Sequence, residues 1–305
     1  MAKRQPVGQS QMRSLRERFH GANINLFYVP ALVLLALFLL YPLVSGFAIS
    51  LTSWDGYNPE RLFVGLSNYV TMLHDANFRM TLVNTLIYGI GSTIIQQILG
   101  LGLALLLNAK IKGRTLMRAI IYLPALVSAV IMGTMYYFIF QYQQGALNAI
   151  LVAFGLDRVV WFQDPHRAVL IIVLVNSLQF VGTSMIIYLA GLQGMDRSVV
   201  EAASLDGATG WTKFINITMP MLMPAFTTSV VLNLIGGLKL FDVIKVLTGG
   251  GPGYSTNSVS TYISIQYFDN QNAGYAAAMG VVLFLLIAVI TTLLNKGLGK
   301  LDWES

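Results

Sequence analysis

The sequence of 305 residues contains no cysteine and has little charge. Without cysteine, disulfides, thiolate metal sites and cysteine nucleophiles are excluded. Only 10% of the residues are charged, against about 25% in an ordinary soluble domain. By contrast, 55% are hydrophobic, and the mean hydropathy is +0.66. So few charges cannot cover a water-exposed surface, and the composition therefore predicts an integral membrane protein.

Six apolar windows are long enough to cross a bilayer, because a spanning helix needs roughly 20 mainly apolar residues. They cover residues 26–51, 82–107, 118–140, 168–192, 221–246 and 275–298. The basic, polar N-terminus is too long for the charged region of a signal peptide and is interpreted as a retained tail. We therefore expect an all-α polytopic membrane protein with six transmembrane helices in one domain, 26–298, between tails 1–25 and 299–305.

The distribution of Lys and Arg predicts the orientation, since short cytoplasmic segments carry an excess of both. The two tails and the connection after the second window are rich in them, whereas residues 52–81 and 141–167 mix four arginines with five acidic residues. Both termini are thus expected in the cytoplasm. The net charge of +6 mostly reflects the Lys and Arg residues of these cytoplasmic segments. The same basic residues suit anionic lipid headgroups, and no nucleic-acid partner is expected.

The connection between the fourth and fifth windows, residues 193–220, differs from a simple linker. Helix-forming residues are followed by Gly207 and Gly210 and then by a second apolar run ending at Pro220, which predicts two short surface helices with a turn at the glycines. The charge distribution places this loop on the cytoplasmic side. Within it stand Glu201, Ala202, Ala203, Ser204, Leu205, Asp206 and Gly207, followed by Ile217, Thr218, Met219 and Pro220.

This pattern resembles the EAA signature of binding-protein-dependent ABC importer permeases, in full register. The one departure is Met219 in place of leucine, which keeps volume and apolarity. The resemblance implies a type I ABC importer permease fold and a coupling helix that docks on a separate ATPase subunit. Its coupling residues would be Glu201, Ala202, Ala203, Asp206, Gly207 and Pro220. Small alanines let a short helix seat deeply in a groove, and Glu201 offers a charge to basic groups of the partner.

The chain lacks a phosphate-binding loop of its own. The glycine-rich run 249–253 has no lysine and does not open a helical pattern, so it is not interpreted as an ATP site. We therefore expect a non-catalytic transport subunit without a cofactor, with ATP and Mg bound by two partner ATPase subunits. Paired carboxylates or a Ser-His-Asp set are not found in the windows. His20, His74 and His166 lie in separate flanks without metal-ligand spacing.

The stretch 241–252 is similar to carbohydrate permeases of the maltose-transporter type, as are residues 161–165 and the pair Leu123-Pro124. This similarity implies a bacterial or archaeal inner-membrane protein that moves a mono- or oligosaccharide. The sugar would be delivered by an extracytoplasmic solute-binding protein, and a second homologous permease would complete the path. Residues implied at the sugar site are Asn176, Gln179, Phe180, Thr183, Gly236, Gly237 and Leu240.

The fourth window offers independent support for such a site. Asn176, Phe180 and Thr183 recur at i, i+4 and i+7 and share one helix face, with Gln179 beside them. Amides, a hydroxyl and an aromatic ring suit a sugar, and two adjacent glycines in the fifth window would open space for it. Small and polar residues also join membrane helices directly, so helix packing stays an alternative interpretation of the same residues.

Other functions remain open at this point. An ABC permease for a polyol, glycerol phosphate or an amino acid would share the same motif, and Lys239 keeps a phosphate-bearing substrate possible. Lys239 and Asp242, three residues apart, are expected to pair near the outer interface or to contact a charged substrate or the partner permease. A secondary transporter is less well supported, because the windows lack carboxylates for ion coupling.

Overall fold

The computed structural model describes residues 28–109 and 111–299, with only the backbone at position 197. Apart from Gly299, the predicted tails lie outside these residues, as does His20. The described chain is almost entirely helical, with one isolated bridge between Thr52 and Phe63. Its helices are α1 Tyr28–Ser50, α2 Ser67–His74, α3 Ala76–Asn108, α4 Arg114–Leu126, α5 Ala129–Ile139, α6 Ala146–Ala153, α7 Pro165–Gly194, α8 Arg197–Leu205, α9 Gly210–Met221, α10 Met223–Leu238, α11 Asp242–Leu247, α12 Val259–Ser264 and α13 Ala273–Gly299. A π-helical segment, Ile265–Asp269, continues α12.

Four continuous helices in the described residues are long and apolar enough to cross a membrane: α1, α3, α7 and α13. They coincide with the first, second, fourth and sixth predicted windows. Two further bent pairs, α4 with α5 and α9 with α10, raise the number to as many as six if each pair is one span. The all-α membrane architecture is therefore confirmed, and the count of six stays a prediction.

The third predicted window is not one straight helix. It divides into α4 and α5, which meet at an angle of 99°. Pro124 lies in the last turn of α4 and has no backbone N–H to continue the helical hydrogen bonds. Val127 is extended and donates back to the Pro124 carbonyl at 3.3 Å, and α5 starts after Ser128. Apolar composition predicted the length of this segment, but not its break.

The fifth predicted window, 221–246, is divided in a similar way. The surface helix α9 runs into α10 with a bend of 69° around Leu222. Pro224 lies in the first turn of α10. Its missing N–H has no energetic cost there, because the N–H groups of the first turn have no acceptor within the helix. At its other end α10 stops at Leu238, and residues 242–247 form the separate helix α11. Expecting one continuous helix through this window was therefore wrong.

The centre of the bundle is the pair α3 and α7, which run parallel, with α10 packed against both. The core is built from their apolar faces together with α11, and it includes Tyr88, Ile172, Val175 and Ile244, none more than marginally exposed. Helix α4 packs on α7, and α13 packs on α1 and α10. Most of α1, by contrast, is exposed on all sides within this subunit.

Aspartates begin the two central helices. Asp75 accepts a hydrogen bond from the Asn77 N–H at 2.8 Å at the start of α3. Asp164 accepts one from the Arg167 N–H at 2.7 Å before Pro165 opens α7. Each satisfies a backbone donor that has no partner within its helix, as helix N-caps do. Contacts of Ser92 with Val173 and of Gly100 with Ser184 show that both helices start at one end of the bundle and finish at the other, where α8 and α9 lie. We call this second end the loop end.

Candidate functional site

The motif loop at the loop end consists of two short helices joined by a tight turn, as predicted. Helix α8 ends at Leu205, and Gly207 follows with φ +84°. The Ala208 N–H donates to the Ala203 carbonyl at 2.9 Å, and the Gly207 N–H donates to the Ser204 carbonyl at 3.3 Å. These two bonds form the Schellman arrangement that closes a helix, and its left-handed position favours glycine. Gly207 is thus required by the backbone of the turn.

The start of α8 is set by Asp196, whose carboxylate accepts from the Ser198 N–H at 2.8 Å. This backbone hydrogen bond lowers the pKa of Asp196, which stays ionised at neutral pH. At the other end of the loop, Lys213 reaches back from α9 and donates to the Ser204 hydroxyl at 2.6 Å. The loop therefore has a defined shape within this single chain.

The outward surface of the loop carries most of the predicted coupling residues. Glu201, Ala202, Asp206 and Gly207 are exposed, whereas Ala203 is buried. Pro220 is half-buried in the last turn of α9, just before the bend into α10. Four of the predicted coupling residues thus form an exposed surface, whereas Pro220 lies beside the bend where α9 passes into the membrane helix α10. A movement of α8 and α9 has a short covalent path into α10.

Two exposed apolar residues of this loop were missed by sequence reasoning. The Leu205 side chain is 90% exposed and that of Trp211 is 72% exposed, on either side of the glycine turn. Trp211 is stacked on Phe214, with ring centroids 5.3 Å apart. Large apolar side chains on a polar surface loop are typical of a protein contact. An available signal was the position of these two residues next to the turn glycines.

The predicted substrate residues of α7 are held at the level of the helix crossings. Asn176 and Gln179 are buried, while Phe180 and Thr183 are half-buried. The Asn176 carbonyl accepts from the Gln96 side-chain amide of α3 at 3.1 Å. The four residues do lie on adjoining positions of one helix, but only Phe180 and Thr183 present substantial surface in this subunit.

Gln179 has a structural contact that the sequence did not reveal. Its side-chain amide donates to the Val127 carbonyl at 3.3 Å, at the break between α4 and α5. Its Oε1 atom is buried without a partner among the described residues. Gln179 therefore gives a hydrogen bond to the Val127 carbonyl, which the helix break leaves without a helical partner. Its own Oε1 remains inside the bundle as an acceptor without a donor among the described residues. This geometry is compatible with both interpretations of Gln179, as a helix-packing residue and as a ligand of a polar solute.

The predicted site residues of the fifth window also differ in exposure. Gly236 is exposed, and a Cβ there would meet nothing within 4 Å, whereas Gly237 and Leu240 are buried. Gly236 and Leu232 are exposed and one turn apart, on what we call the open face of α10. Lys239, directly after the helix, is exposed and lines a cavity between α10 and α13. Gly236 therefore provides open space, as expected for a solute path, while Gly237 and Leu240 belong to the packed side.

Polar contacts of α3 with residues 249–259, which we call the glycine-rich segment, form a second cluster that sequence reasoning missed. The Asn84 amide donates to the Ser255 carbonyl at 2.7 Å, and the Tyr88 hydroxyl donates to the Thr256 carbonyl at 2.8 Å. The Thr85 hydroxyl accepts from the Val259 N–H at 2.8 Å. Non-helical backbone at membrane depth needs such partners. Polar residues at 84, 85 and 88, in the first two turns of a mainly apolar window, were the available signal.

The charged residues that follow α10 form no ion pair with one another among the described residues. Lys239 and Asp242 are both exposed, and no ion pair joins them. The expected pairing is therefore not formed in this subunit. Lys245 lies over the Phe241 ring at 5.9 Å. Within residues 28–109 and 111–299, no group of three or more His, Asp or Glu could hold a metal ion.

Comparison with known proteins identifies the family. Residues 96–300 match the model described as binding-protein-dependent transport system inner membrane component. The chain belongs to this family. The matched range includes the Glu201 loop, the α7 face and Gly236. The ABC permease assignment made from sequence is therefore confirmed, whereas the EAA coupling motif and the roles of individual residues in this permease remain predictions.

Curated relatives extend the similarity over almost the whole permease. The trehalose/maltose transport system permease protein MalF of Thermococcus litoralis is 34% identical over 271 residues, which are 89% of this chain and 92% of that protein. The lactose transport system permease protein LacF of Rhizobium radiobacter is 34% identical over 287 residues, 92% of this chain and 95% of that protein. The probable ABC transporter permease protein YurN of Bacillus subtilis is 34% identical over 275 residues, 89% and 94% respectively.

A solved structure shares the fold. A chain of a bacterial ABC transporter involved in import of the acidic polysaccharide alginate superposes with a TM-score of 0.80. Its sequence is 24% identical, and the match covers 94% of this permease and 99% of that chain. This likeness shows that the permease has the overall fold of that transporter chain.

Proposed function

We propose that this permease forms the translocation path of an ABC importer for a mono- or oligosaccharide. The observation that carries the proposal is the combination of Phe180 and Thr183, which expose part of their surface on α7, with the open position at Gly236. An aromatic face, a hydroxyl and free space are what a sugar requires. Relatives named for trehalose/maltose and lactose, similar along nearly their whole lengths, support the same substrate class.

The proposed assembly includes a second homologous permease, two ATPase subunits and an extracytoplasmic solute-binding protein. The last is supported by a related alginate transporter solved with its substrate-bound periplasmic protein. The exposed α1 is available to a second permease or to lipid. ATP and Mg would be bound by the ATPase subunits, since the sequence lacks a phosphate loop, and this chain would itself catalyse no reaction.

In the proposed mechanism, the ATPases dock on α8 and on the neighbouring side chains Leu205 and Trp211. Their closure upon ATP binding would move the loop, and the bend at Pro220 and Leu222 would pass this movement to α10. The solute path would then alternate between the two sides of an inner membrane, with both termini of the permease in the cytoplasm. The positive-inside distribution of Lys and Arg supports this orientation.

Lys239 favours a second candidate, an importer of an acidic saccharide. It is an exposed cation without an ion-pair partner among the described residues, and it lines a cavity between the end of α10 and α13. An uncompensated charge at such a position is a functional candidate, because it is costly in lipid. Relatives named for sulfoquinovosyl glycerol transport and for alginate import are consistent with an anionic cargo.

The proposal can be tested by reconstituting the whole transporter, with its binding protein and ATPases, in proteoliposomes. Uptake of labelled maltose, trehalose and lactose and of an acidic oligosaccharide would be measured with ATP enclosed. We expect Phe180→Ala and Thr183→Ala to reduce uptake about tenfold or more while the complex still assembles. Thr134→Ala is a matched control, since that exposed hydroxyl bonds only the Val130 carbonyl of its own helix. Loss of assembly instead of uptake would favour the packing role.

A further inference from the structure

A cleft of about 330 Å³ opens between α4 and α7 near the loop end. It does not belong to the motif loop, the α7 substrate face or the open face of α10. Arg118 and Tyr122 supply polar groups from α4, and Gln193 supplies an amide from the last turn of α7. The remaining wall is apolar and consists of Ala119, Ile186, Leu189 and Ala190. None of the described lining residues is acidic.

The lining is polar at the mouth of the cleft and mainly apolar deeper in the bundle, where Tyr122 is the polar side chain among the described lining residues. Gln193 and Arg118 lie within about 6 Å of the ends of their helices, at a rise of about 1.5 Å per residue. Ile186 is roughly 10 Å deeper along α7 than Gln193 by the same rise. Outside the cleft, α4 exposes Leu116, Ile120 and Leu123. The order of polar group, then apolar wall, is that of a phospholipid from head to tail.

Arg118 is already positioned to receive an anion. One of its terminal nitrogens donates to the Leu107 carbonyl at 2.7 Å, which ties the guanidinium to the last turn of α3. Its Nε atom is buried and has no partner among the described residues. A guanidinium presents its donors in a fixed plane that fits phosphate oxygens in pairs. A phosphate in the cleft would contact the exposed part of this guanidinium, which is half-buried and is held in place by its bond to the Leu107 carbonyl.

We propose that this cleft binds the phosphate of an anionic phospholipid in the leaflet at the loop end. The sequence predicts that this leaflet is the cytoplasmic one. Basic pockets between membrane helices are suited to anionic headgroups, and here the apolar wall continues the site toward the acyl chains. The phosphate contacts Arg118, the headgroup lies beside Gln193, and the glycerol region and chains follow Tyr122, Ile186 and the exposed face of α4.

The test is native mass spectrometry of the delipidated transporter, titrated with phosphatidylglycerol or phosphatidylcholine. We expect phosphatidylglycerol to bind preferentially, and Arg118→Gln to weaken it at least fivefold, the effect of one basic contact near a membrane surface. Arg114→Gln is the matched control, because Arg114 is exposed on the same helix and does not line the cleft. Equal losses in both variants would overturn the site.

If Arg118→Gln disturbs folding, two further measurements test the lipid site. Ala190→Phe fills the cleft without changing charge at an exposed position, and we expect it to abolish the preference for phosphatidylglycerol. Unchanged preference in Ala190→Phe would contradict the proposal. Inorganic phosphate in millimolar excess should displace little lipid, because it lacks the acyl chains. Complete displacement would instead indicate a site for free phosphate.

Discussion

Gly237 of α10 meets Gly89 of α3 at the point where the two helices cross. A Cβ added to Gly237 would lie 2.8 Å from the Gly89 Cα and 2.9 Å from the Tyr88 carbonyl oxygen. The neighbouring Gly236 faces open space instead. Two adjacent glycines, predicted from sequence to act together, therefore occupy different environments: one permits helix contact and the other borders the proposed solute path.

We predict opposite phenotypes for the two glycines. Gly237→Ala should destabilise the permease by about 1–3 kcal/mol, because backbone atoms must move to admit the methyl group. Gly236→Ala should leave stability almost unchanged but reduce sugar uptake. Thermal unfolding of the purified transporter and uptake by proteoliposomes separate the two effects. A stable Gly237→Ala variant with impaired uptake would reassign Gly237 to the substrate path.

The fold class and the motif loop could be read from the sequence because they depend on local patterns. The length of the apolar windows predicted the membrane helices, and the spacing of Glu201, Gly207 and Pro220 pointed to the loop. The break at Val127 and the packing of Gly237 could not be predicted in this way. They depend on which helix lies opposite, and a single sequence does not contain that information. The Asn84 and Tyr88 contacts with the glycine-rich segment are long-range for the same reason.

Gln179 provides a test of the break between α4 and α5. We predict that Gln179→Met, which keeps the length and apolar volume of the side chain, destabilises the permease by about 1–3 kcal/mol. The reason is that the Val127 carbonyl loses the donor it has at the break. Gln163→Met, at an exposed loop position, serves as the control in the same unfolding measurement. Impaired uptake at full stability would instead support a direct contact of Gln179 with the sugar.

Gly207 is predicted to matter through its backbone alone. A Cβ at this position would touch nothing within 4 Å, yet φ is +84°. Gly207→Ala should therefore cost about 1–2 kcal/mol in the turn and shift the position of α8 relative to α9. We expect weaker co-purification of the ATPase subunits and slower uptake. Gly194→Ala is the control, since it also adds a methyl group in open space but without a positive φ. Unchanged co-purification and uptake in Gly207→Ala would contradict the coupling role.

Asp75 joins three helices at the end of the bundle opposite the loop end. Its Oδ2 atom accepts from the Tyr275 hydroxyl at 2.8 Å and from the Tyr262 hydroxyl at 2.9 Å. Partial burial opposes ionisation of Asp75, but these two hydrogen bonds, with backbone donors, outweigh it and lower its pKa. Burial, reinforced by the Asp75 charge, raises the pKa of Tyr262 to about 12. The Tyr262 hydroxyl therefore remains protonated and donating at neutral pH.

A carboxyl with a lowered pKa stabilises the folded state above its unfolded-state pKa, and this contribution is lost as the pH falls through the folded-state value. We therefore expect Asp75→Asn to unfold at a lower temperature than the unmutated permease at pH 7. The difference should shrink in acid, below the ordinary aspartate pKa. Tyr262→Phe removes one donor and should move this loss to higher pH. Asp157→Asn removes an exposed carboxylate and is the control; if its pH profile equalled that of Asp75→Asn, the loss would reflect net charge and not the contacts with the two tyrosines.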